Sequence, residues 1–354
     1  MKYTEEEQNL IILSSFSEIP HAARQSVLSA LKSFAPDSAE NNSYPIKSGA
    51  DGVYNKVRAN FYNAEYRQKV FEELEKRQVE CVTLASEDYP ELLKHIPDPP
   101  LTLFVKGRRE LLRNRLFSIV GSRTTTVPAL EQCKRFSKEL SEQFTIVSGS
   151  AYGADSAALE SANGRVISVL AFGFDSVGKV SNSQLIQKIA GAGLIISEYF
   201  PTVKPRTFYF PVRNRIIAGI SKGTLIVSAG EKSGALITAN CAAEYNREVF
   251  VFPYNIGVSS GEGCNALIKK GAALVQNPLD ILLAFGLDLK PRTEKILSPQ
   301  EQKVYSLIKD EGEVFVPVLA EKLGVQTFNL IPVLSLLEIK GLIVRLGGNR
   351  YSVI

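Results

Sequence analysis

The middle of the chain predicts an α/β fold built on a doubly wound, mostly parallel sheet. Between about residues 79 and 287, short apolar or β-branched runs alternate with helical stretches. Runs that are apolar throughout are typical of strands covered by helices on both faces. Several of these runs end in loops rich in glycine and serine, as expected of a sheet that binds a ligand at its carboxyl edge. These patterns indicate a Rossmann-like domain over residues 79–287.

Seven strands and one well-defined helix support this domain. The predicted strands lie at residues 116–120, 145–148, 165–171, 194–197, 224–228, 248–252 and 272–275. The helix over residues 128–144 starts with a proline and repeats apolar residues at helical spacing. The apolar side of that helix consists of Leu130, Cys133, Phe136, Leu140 and Phe144.

Smaller domains are predicted on either side. Residues 1–78 read as a small helical domain, of the SAM or helix-hairpin-helix kind, with helices over residues 5–20, 21–34 and 66–78 and a breaker-rich loop between the last two. Residues 296–354 follow a polar linker and predict three helices and a hairpin around Gly347 and Gly348, which is the pattern of a winged helix. Its last helix is poor in arginine and lysine, which favours a protein contact or packing over duplex DNA.

Composition excludes several function classes. The 354 residues carry a net charge of +4, so attraction to an anion depends on where the charges lie. No apolar run reaches the length of a membrane span, and the acidic N-terminus lacks the pattern of a signal peptide. Four scattered cysteines indicate a reduced, cytoplasmic protein. Two distant histidines exclude most metal sites and every serine–histidine mechanism, so we expect no catalysis, no metal and no cofactor.

Glycine-rich and serine-rich loops locate the ligand site. Four of them, at residues 120–126, 148–155, 171–175 and 228–234, follow predicted strands, so their free backbone N–H groups are expected to bind anions. None matches GxGxxG or a Walker A loop. Asp155 at the start of a helix is either an N-cap or part of the site.

Basic residues are expected to converge on the same edge. Six lie between Lys106 and Arg123 and five between Lys204 and Lys222, although a solvated surface is the alternative for the 106–115 group. Three consecutive rings, Phe208 to Phe210, lie beside the second group. Bases of a single strand stack on aromatic side chains while cations follow the phosphates. We therefore expect a single-stranded nucleic acid, with one or two of the rings packed in the core.

Several motifs resemble the DNA-processing protein A family (DprA, also called Smf). They are SIVGSR, SGSAYGAD, VLAFGFD, IISEYFP, KPRTFYFPVRNRIIAGIS, EKSGALITA, REVFVFP and GCNALIKKGA, in the order and at about the spacing of that family. The resemblance covers roughly residues 79–285. It implies a non-enzymatic protein, usually a homodimer, that binds single-stranded DNA taken up in natural transformation and loads the RecA recombinase onto it.

The resemblance also implies a set of site residues. The DNA-binding positions would be Gly121, Ser122, Arg123, Ser148, Gly149, Lys204, Phe208, Phe210, Arg213, Asn214 and Arg215. The supporting loops would contribute Tyr152, Gly153, Asp155, Gly173, Ser233, Gly234 and Thr238. For Arg213 and Arg215 the motif leaves two roles open, contact with phosphate or bracing of the pocket from behind.

The chain departs from the family pattern at several positions. Tyr152 replaces an arginine, Leu159 a histidine, Ser228 a glutamate and Tyr254 a glycine. Loss of the arginine predicts weaker phosphate binding, although a tyrosine there could stack on a base. A second hypothesis stays open, namely a sensor or hydrolase for a small nucleotide that uses the same loops, because a Rossmann-like sheet alone does not fix function.

Overall fold

The computed structural model describes residues 2–20, 57–287 and 297–353, together with residues 23, 24, 26, 27 and 29. They belong to two compact units, Met1–Leu287 and Asp288–Ile354. Most of the helix predicted over residues 21–34, the loop after it and most of the linker lie outside the described residues. The division into three domains stays a prediction.

A nine-stranded sheet forms the centre of the first unit. Its strands are β1 Glu80–Thr83, β2 Thr102–Gly107, β3 Leu116–Val120, β4 Thr145–Ser148, β5 Val166–Leu170, β6 Leu194–Ser197, β7 Gly223–Ile226, β8 Glu248–Val251 and β9 Ala273–Leu274. The strand order is β1-β2-β6-β5-β4-β3-β7-β8-β9. Strands β3 to β9 pair in parallel, whereas β1 and β2 pair antiparallel at one edge. The predicted mostly parallel α/β sheet is confirmed; β1 and β2 were not predicted.

Helices cover both faces of the sheet. They are α1 Glu5–Ser15, α2 Ala64–Lys76, α3 Glu91–Lys94, α4 Val127–Leu140, α5 Ala154–Ser161, α6 Ser183–Ala192, α7 Tyr209–Ile220, α8 Gly234–Glu244, α9 Glu262–Lys269 and α10 Pro278–Ala284. Strand β3 shows how the two layers arise, because successive side chains point to opposite faces. Phe117 packs with Phe136 of α4 in one buried cluster, while Val120 packs with Ile217 of α7 in the other.

The N-terminal helices pack on the antiparallel edge of this sheet. Helix α1 begins with a capping box made by Thr4 and Glu7. Its Leu10 and Leu13 are buried in one cluster with Cys81 of β1 and Phe104 of β2. The apolar half of α1 therefore completes the cover over the two strands that the sequence did not predict.

The second unit contains α11 Pro299–Glu311, β10 Glu313–Phe315, α12 Val316–Leu323, α13 Thr327–Ile339, β11 Ile343–Leu346 and β12 Arg350–Val353. Its strands form an antiparallel sheet in the order β10-β12-β11. Three helices and the hairpin lie where the sequence places them, and the winged-helix assignment stays a prediction. In the described part of the chain, no helix combines the length and apolar composition needed to cross a bilayer.

Candidate functional site

A large open cavity lies at the carboxyl edge of the parallel strands, with a volume of about 1180 Å³. The loops that follow β3, β4, β5 and β7 line it together with the first turns of α7 and α8. The cavity brings together many of the residues that the sequence singled out. These are Gly121, Ser122, Arg123, Gly149, Tyr152, Asp155, Phe210, Arg213, Asn214, Ser233, Gly234 and Thr238.

Asp155 joins the loops after β3 and β4. Its buried carboxylate accepts hydrogen bonds from the backbone N–H groups of Gly121 (3.3 Å), Gly149 (3.2 Å) and Ala151 (3.3 Å). Asp155 lies in the first turn of α5, whose N-cap is Gly153, so the N-cap alternative is wrong. Because these N–H groups already bond Asp155, the expectation that they are free to bind an anion is also wrong.

Arg213 lies beside Asp155 and is buried as well. Its guanidinium donates hydrogen bonds to the carbonyl oxygens of Gly149 (3.1 Å) and Val169. A Cβ added at Gly149 would lie 2.6 Å from Nη2 of Arg213 and 2.9 Å from Oδ2 of Asp155, so the glycine is required for this close approach. Burial lowers the pKa of Arg213 to about 10, against the opposing effect of Asp155. Burial raises the pKa of Asp155, against the effects of Arg213 and the three N–H groups.

Arg215 has a different environment from Arg213. It is buried and forms ion pairs with Glu198 (2.7 Å) and Asp98 (3.3 Å). It does not line the cavity. Of the two roles that the sequence left open, these ion pairs favour bracing for Arg215, and that role stays a prediction. The cation connects α7 to the chain after β6 and to the chain before β2.

The other predicted residues that do not line the cavity lie in the strand and loops behind it or on the exposed loop beside it. Ser148 is buried and donates a hydrogen bond to the carbonyl of Ile119 (2.6 Å). Gly153 has a φ of +83°, and a Cβ at Gly173 would lie 2.2 Å from the carbonyl oxygen of Phe200. These glycines allow neighbouring loops to approach each other. Lys204 is exposed on the loop between β6 and α7.

The three consecutive rings occupy three environments. Tyr209 is buried and packs against Tyr199, with ring centroids 4.3 Å apart. Phe210 is half-buried and lines the cavity. Phe208 is 59% exposed and contacts Tyr209 edge-on, outside the cavity lining. One ring therefore belongs to the core, as the sequence predicted, and Phe210 is the ring that the cavity can use.

The two basic segments do not converge on one edge. Gly107 at the end of β2 pairs with Leu194 at the start of β6, so the chain that follows β2 lies at the amino edge of the parallel strands. Arg109 there bonds Asp88 (2.6 Å) and Glu80 (3.2 Å). The expectation that the 106–115 group joins the site is wrong, because β2 runs antiparallel to the strands after it. Lys222 precedes β7 and lies at that amino edge as well.

Three exposed cations lie at or near the cavity at the carboxyl edge. Arg123 and Lys232 line the cavity and are exposed, and Lys204 is exposed near it. Among the described residues, none of the three forms an ion pair. Asp155 is the acid among the lining residues. Lys232 lies in the predicted loop over residues 228–234 but was not predicted as a site residue, although its position beside Ser233 was a usable signal.

Three positions that depart from the family pattern make specific contacts. The Tyr152 hydroxyl donates a hydrogen bond to the carbonyl of Ser181, so its ring extends between the loops after β4 and β5. Ser228 accepts a hydrogen bond from the N–H of Ser122 (3.0 Å). The Tyr254 hydroxyl reaches the carbonyl of Val227 (2.8 Å). Leu159, a fourth departure, is buried in the core.

The Tyr254 ring also fills space beside the loop after β7. A Cβ added at Gly261 would lie 2.0 Å from the Tyr254 ring, so the tyrosine packs directly on that glycine. The Tyr254 hydroxyl bonds the carbonyl of Val227, the residue directly before Ser228. Tyr254 and Ser228 thus both make contacts at the start of the loop that precedes α8.

Comparisons with known proteins agree on one family. The family model described as DNA recombination-mediator protein A matches residues 80–286. Protein Smf of Escherichia coli is 36% identical over 290 residues, which cover 78% of each chain. DNA processing protein DprA of Bacillus subtilis is 39% identical over 208 residues, covering 57% of this chain and 70% of that protein. Protein Smf of Synechocystis is 40% identical over 223 residues, which span 61% of this chain and 56% of the relative's length.

Two solved structures resemble the fold. The structure of DNA processing protein A from Streptococcus pneumoniae superposes with a TM-score of 0.63 at 29% identity, covering 80% of this chain and 98% of that one. The structure of the Helicobacter pylori protein, described in terms of its single-stranded DNA binding mode, superposes with a TM-score of 0.55 at 30% identity. It covers 59% of this chain and 95% of the other.

Proposed function

Because this chain belongs to the DNA recombination-mediator protein A family, we propose that it binds single-stranded DNA in the cavity at the carboxyl edge of its sheet. The proposed role is DNA processing in natural transformation, in which the protein loads RecA onto the bound strand. The structure of the H. pylori relative, which is described by its single-stranded DNA binding, supports the ligand. The motifs in this chain that resemble the family support RecA loading and a homodimer.

The proposal rests on one observation: cations without an ion pair among the described residues lie in or near the same cavity as an accessible aromatic ring. Arg123 lines the cavity without an ion pair to a described residue, and Lys204 is exposed nearby. Phe210 presents a half-buried ring to the same cavity. A single strand offers free base faces to such a ring, whereas a duplex keeps its bases stacked. Phosphates between the bases would contact the cations.

We propose a binding protein and not an enzyme. The carboxylate of Asp155, the acid in the cavity, accepts hydrogen bonds from three backbone N–H groups and lies beside Arg213. A general base needs a lone pair aimed at the proton that it removes. Asp155 therefore serves to connect the loops. The four cysteines are free thiols, in keeping with the proposed cytoplasmic location.

Charge reversal at the cavity tests the proposal. We expect Arg123→Glu and Lys204→Glu each to weaken binding of a labelled oligothymidylate by at least about tenfold, since each change removes a phosphate contact and adds repulsion. Fluorescence anisotropy measures the dissociation constants. Lys222→Glu is the matched control, because this exposed lysine lies at the opposite edge of the sheet.

Two results would contradict the proposal. If both cavity variants bound as tightly as the parent and the control, the strand would not contact this cavity. If the parent bound thymidine 5′-monophosphate as tightly as the oligonucleotide, the small-nucleotide hypothesis would take its place.

A further inference from the structure

The N-terminus of α8 has a backbone N–H group without a partner among the described residues. In the loops after β3 and β4, by contrast, several N–H groups beside the cavity are already hydrogen-bonded. The N–H of Ser122 bonds the carbonyl and the hydroxyl of Ser228, and Asp155 takes the N–H groups of the loops after β3 and β4. In α8, the N-cap Ser233 accepts a hydrogen bond from Ala235 (3.3 Å). The N–H of Gly234 makes no hydrogen bond with a described residue, and a Cβ added at Gly234 would meet open space.

A threonine side chain lies near the same end of the helix. Thr238 is 1% exposed and lines the cavity. It lies one turn after Gly234, on the same face of α8, and the Cα–Cβ bond in a helix is tilted towards the N-terminus. Its hydroxyl makes no hydrogen bond with any residue that the structure describes. The hydroxyl is therefore available to a ligand oxygen in the cavity that Thr238 lines.

A cation completes the group. Lys232 is exposed, lines the cavity and forms no ion pair among the described residues. The partial positive charge of a helix N-terminus attracts anions, and phosphate is the group that such ends bind most often. The carbonyl of Gly234 accepts a hydrogen bond from Asn214 (3.3 Å), which joins this end of α8 to α7. The donors of α8 therefore face the same cavity as Arg213.

We propose that Lys232, the N–H of Gly234 and the hydroxyl of Thr238 form a second phosphate site, which binds one backbone phosphate of the strand held by Arg123. The inference rests on the proposed function and adds a contact on the α8 wall. In this proposal Thr238 binds the ligand and takes no part in catalysis. The strand would then cross the cavity from the loop after β3 to the loop after β7.

Neutral phosphate analogues test this contact. Each linkage of a short labelled oligothymidylate is replaced in turn by an uncharged methylphosphonate, and binding is measured for the parent, Lys232→Gln and Thr238→Val. We expect each variant to bind the natural strand about tenfold more weakly, since each loses a contact to a charged acceptor. For Lys232→Gln the log–log salt slope should fall by about 0.7, the value for one phosphate of a single strand. One linkage should weaken the parent when neutralised but leave both variants unaffected.

Controls separate failure of this inference from failure of the proposed function. Lys222→Gln should behave as the parent, and urea unfolding of Thr238→Val shows whether that variant folds. If Lys232→Gln binds as the parent while Arg123→Glu loses binding, the second phosphate site is wrong and the proposed function stands. If Arg123→Glu also binds normally, the proposed function itself fails. If both variants are weaker yet respond to every neutral linkage as the parent does, α8 acts on the fold and the inference is overturned.

Discussion

Replacing the buried Arg213 should destabilise the first unit far more than replacing the exposed Arg123. Arg213→Met keeps much of the side chain but removes a guanidinium that donates to the carbonyls of Gly149 and Val169. It also leaves the buried Asp155 without its cation. Removing one partner from a buried charged pair costs about 3–5 kcal/mol, whereas surface changes stay within about 0.5 kcal/mol. We therefore expect a loss of about 3–5 kcal/mol for Arg213→Met and almost none for Arg123→Met.

Urea unfolding followed by circular dichroism measures both free energies. The transition of the first unit is the relevant one, because the second unit is compact by itself and can unfold separately. Both variants should also bind oligothymidylate more weakly, so binding alone does not distinguish them. A free energy of unfolding for Arg213→Met within about 0.5 kcal/mol of the parent would refute the reasoning that its guanidinium holds the loops together.

Three further predictions address the glycine, the rings and an ion pair. Gly149→Ala should weaken DNA binding and lower the unfolding midpoint, because its Cβ would lie 2.6 Å from the Arg213 guanidinium; unchanged binding and stability would show that the loops can move apart. Phe210→Ala should lose about 1–3 kcal/mol of single-strand binding while Phe208→Ala loses less, and anisotropy showing the reverse order would place the base on the outer ring. Hydrogen bonding to Arg109 lowers the pKa of Asp88 below its ordinary value of 3.8. The stability that this ion pair contributes is therefore complete above pH 3.8 and is lost as the pH falls through the lowered pKa of the folded protein. Asp88→Asn should therefore be less stable than the parent at pH 7 and converge with it in acid, and parallel urea midpoints across this range would contradict the assignment.

The parallel part of the sheet could be predicted because β3 to β7 are buried along their whole length and mostly apolar. Runs such as residues 116–120 and 194–197 can be buried on two faces and hardly anywhere else. Strands β1 and β2 were not predicted, although residues 101–105 are as apolar as those runs; both strands lie at the antiparallel edge, where α1 covers them. That omission had a functional consequence. With β2 unrecognised, its basic continuation at residues 106–115 was placed at the wrong edge.

The residue types of the site could be predicted, but their partners could not. Glycine and serine loops indicated a ligand, yet the sequence does not tell that Asp155 takes the N–H groups of two loops. Arg213 and Arg215 are two residues apart, which on a helix separates their directions by about 200°. One therefore faces the loops of the cavity while the other faces Glu198. Spacing alone left these roles open because it depends on which side of α7 meets the sheet.

The most direct test of the central claim compares binding of single-stranded and duplex oligonucleotides of equal length across a salt series. Fluorescence anisotropy of the purified full chain gives both dissociation constants. We expect tighter binding of the single strand, with a log–log salt slope of about 0.7 for each phosphate contacted. Equal affinity for both forms, or no salt-dependent binding of the single strand, would contradict the account that Arg123, Lys204 and Phe210 together recognise an unpaired strand.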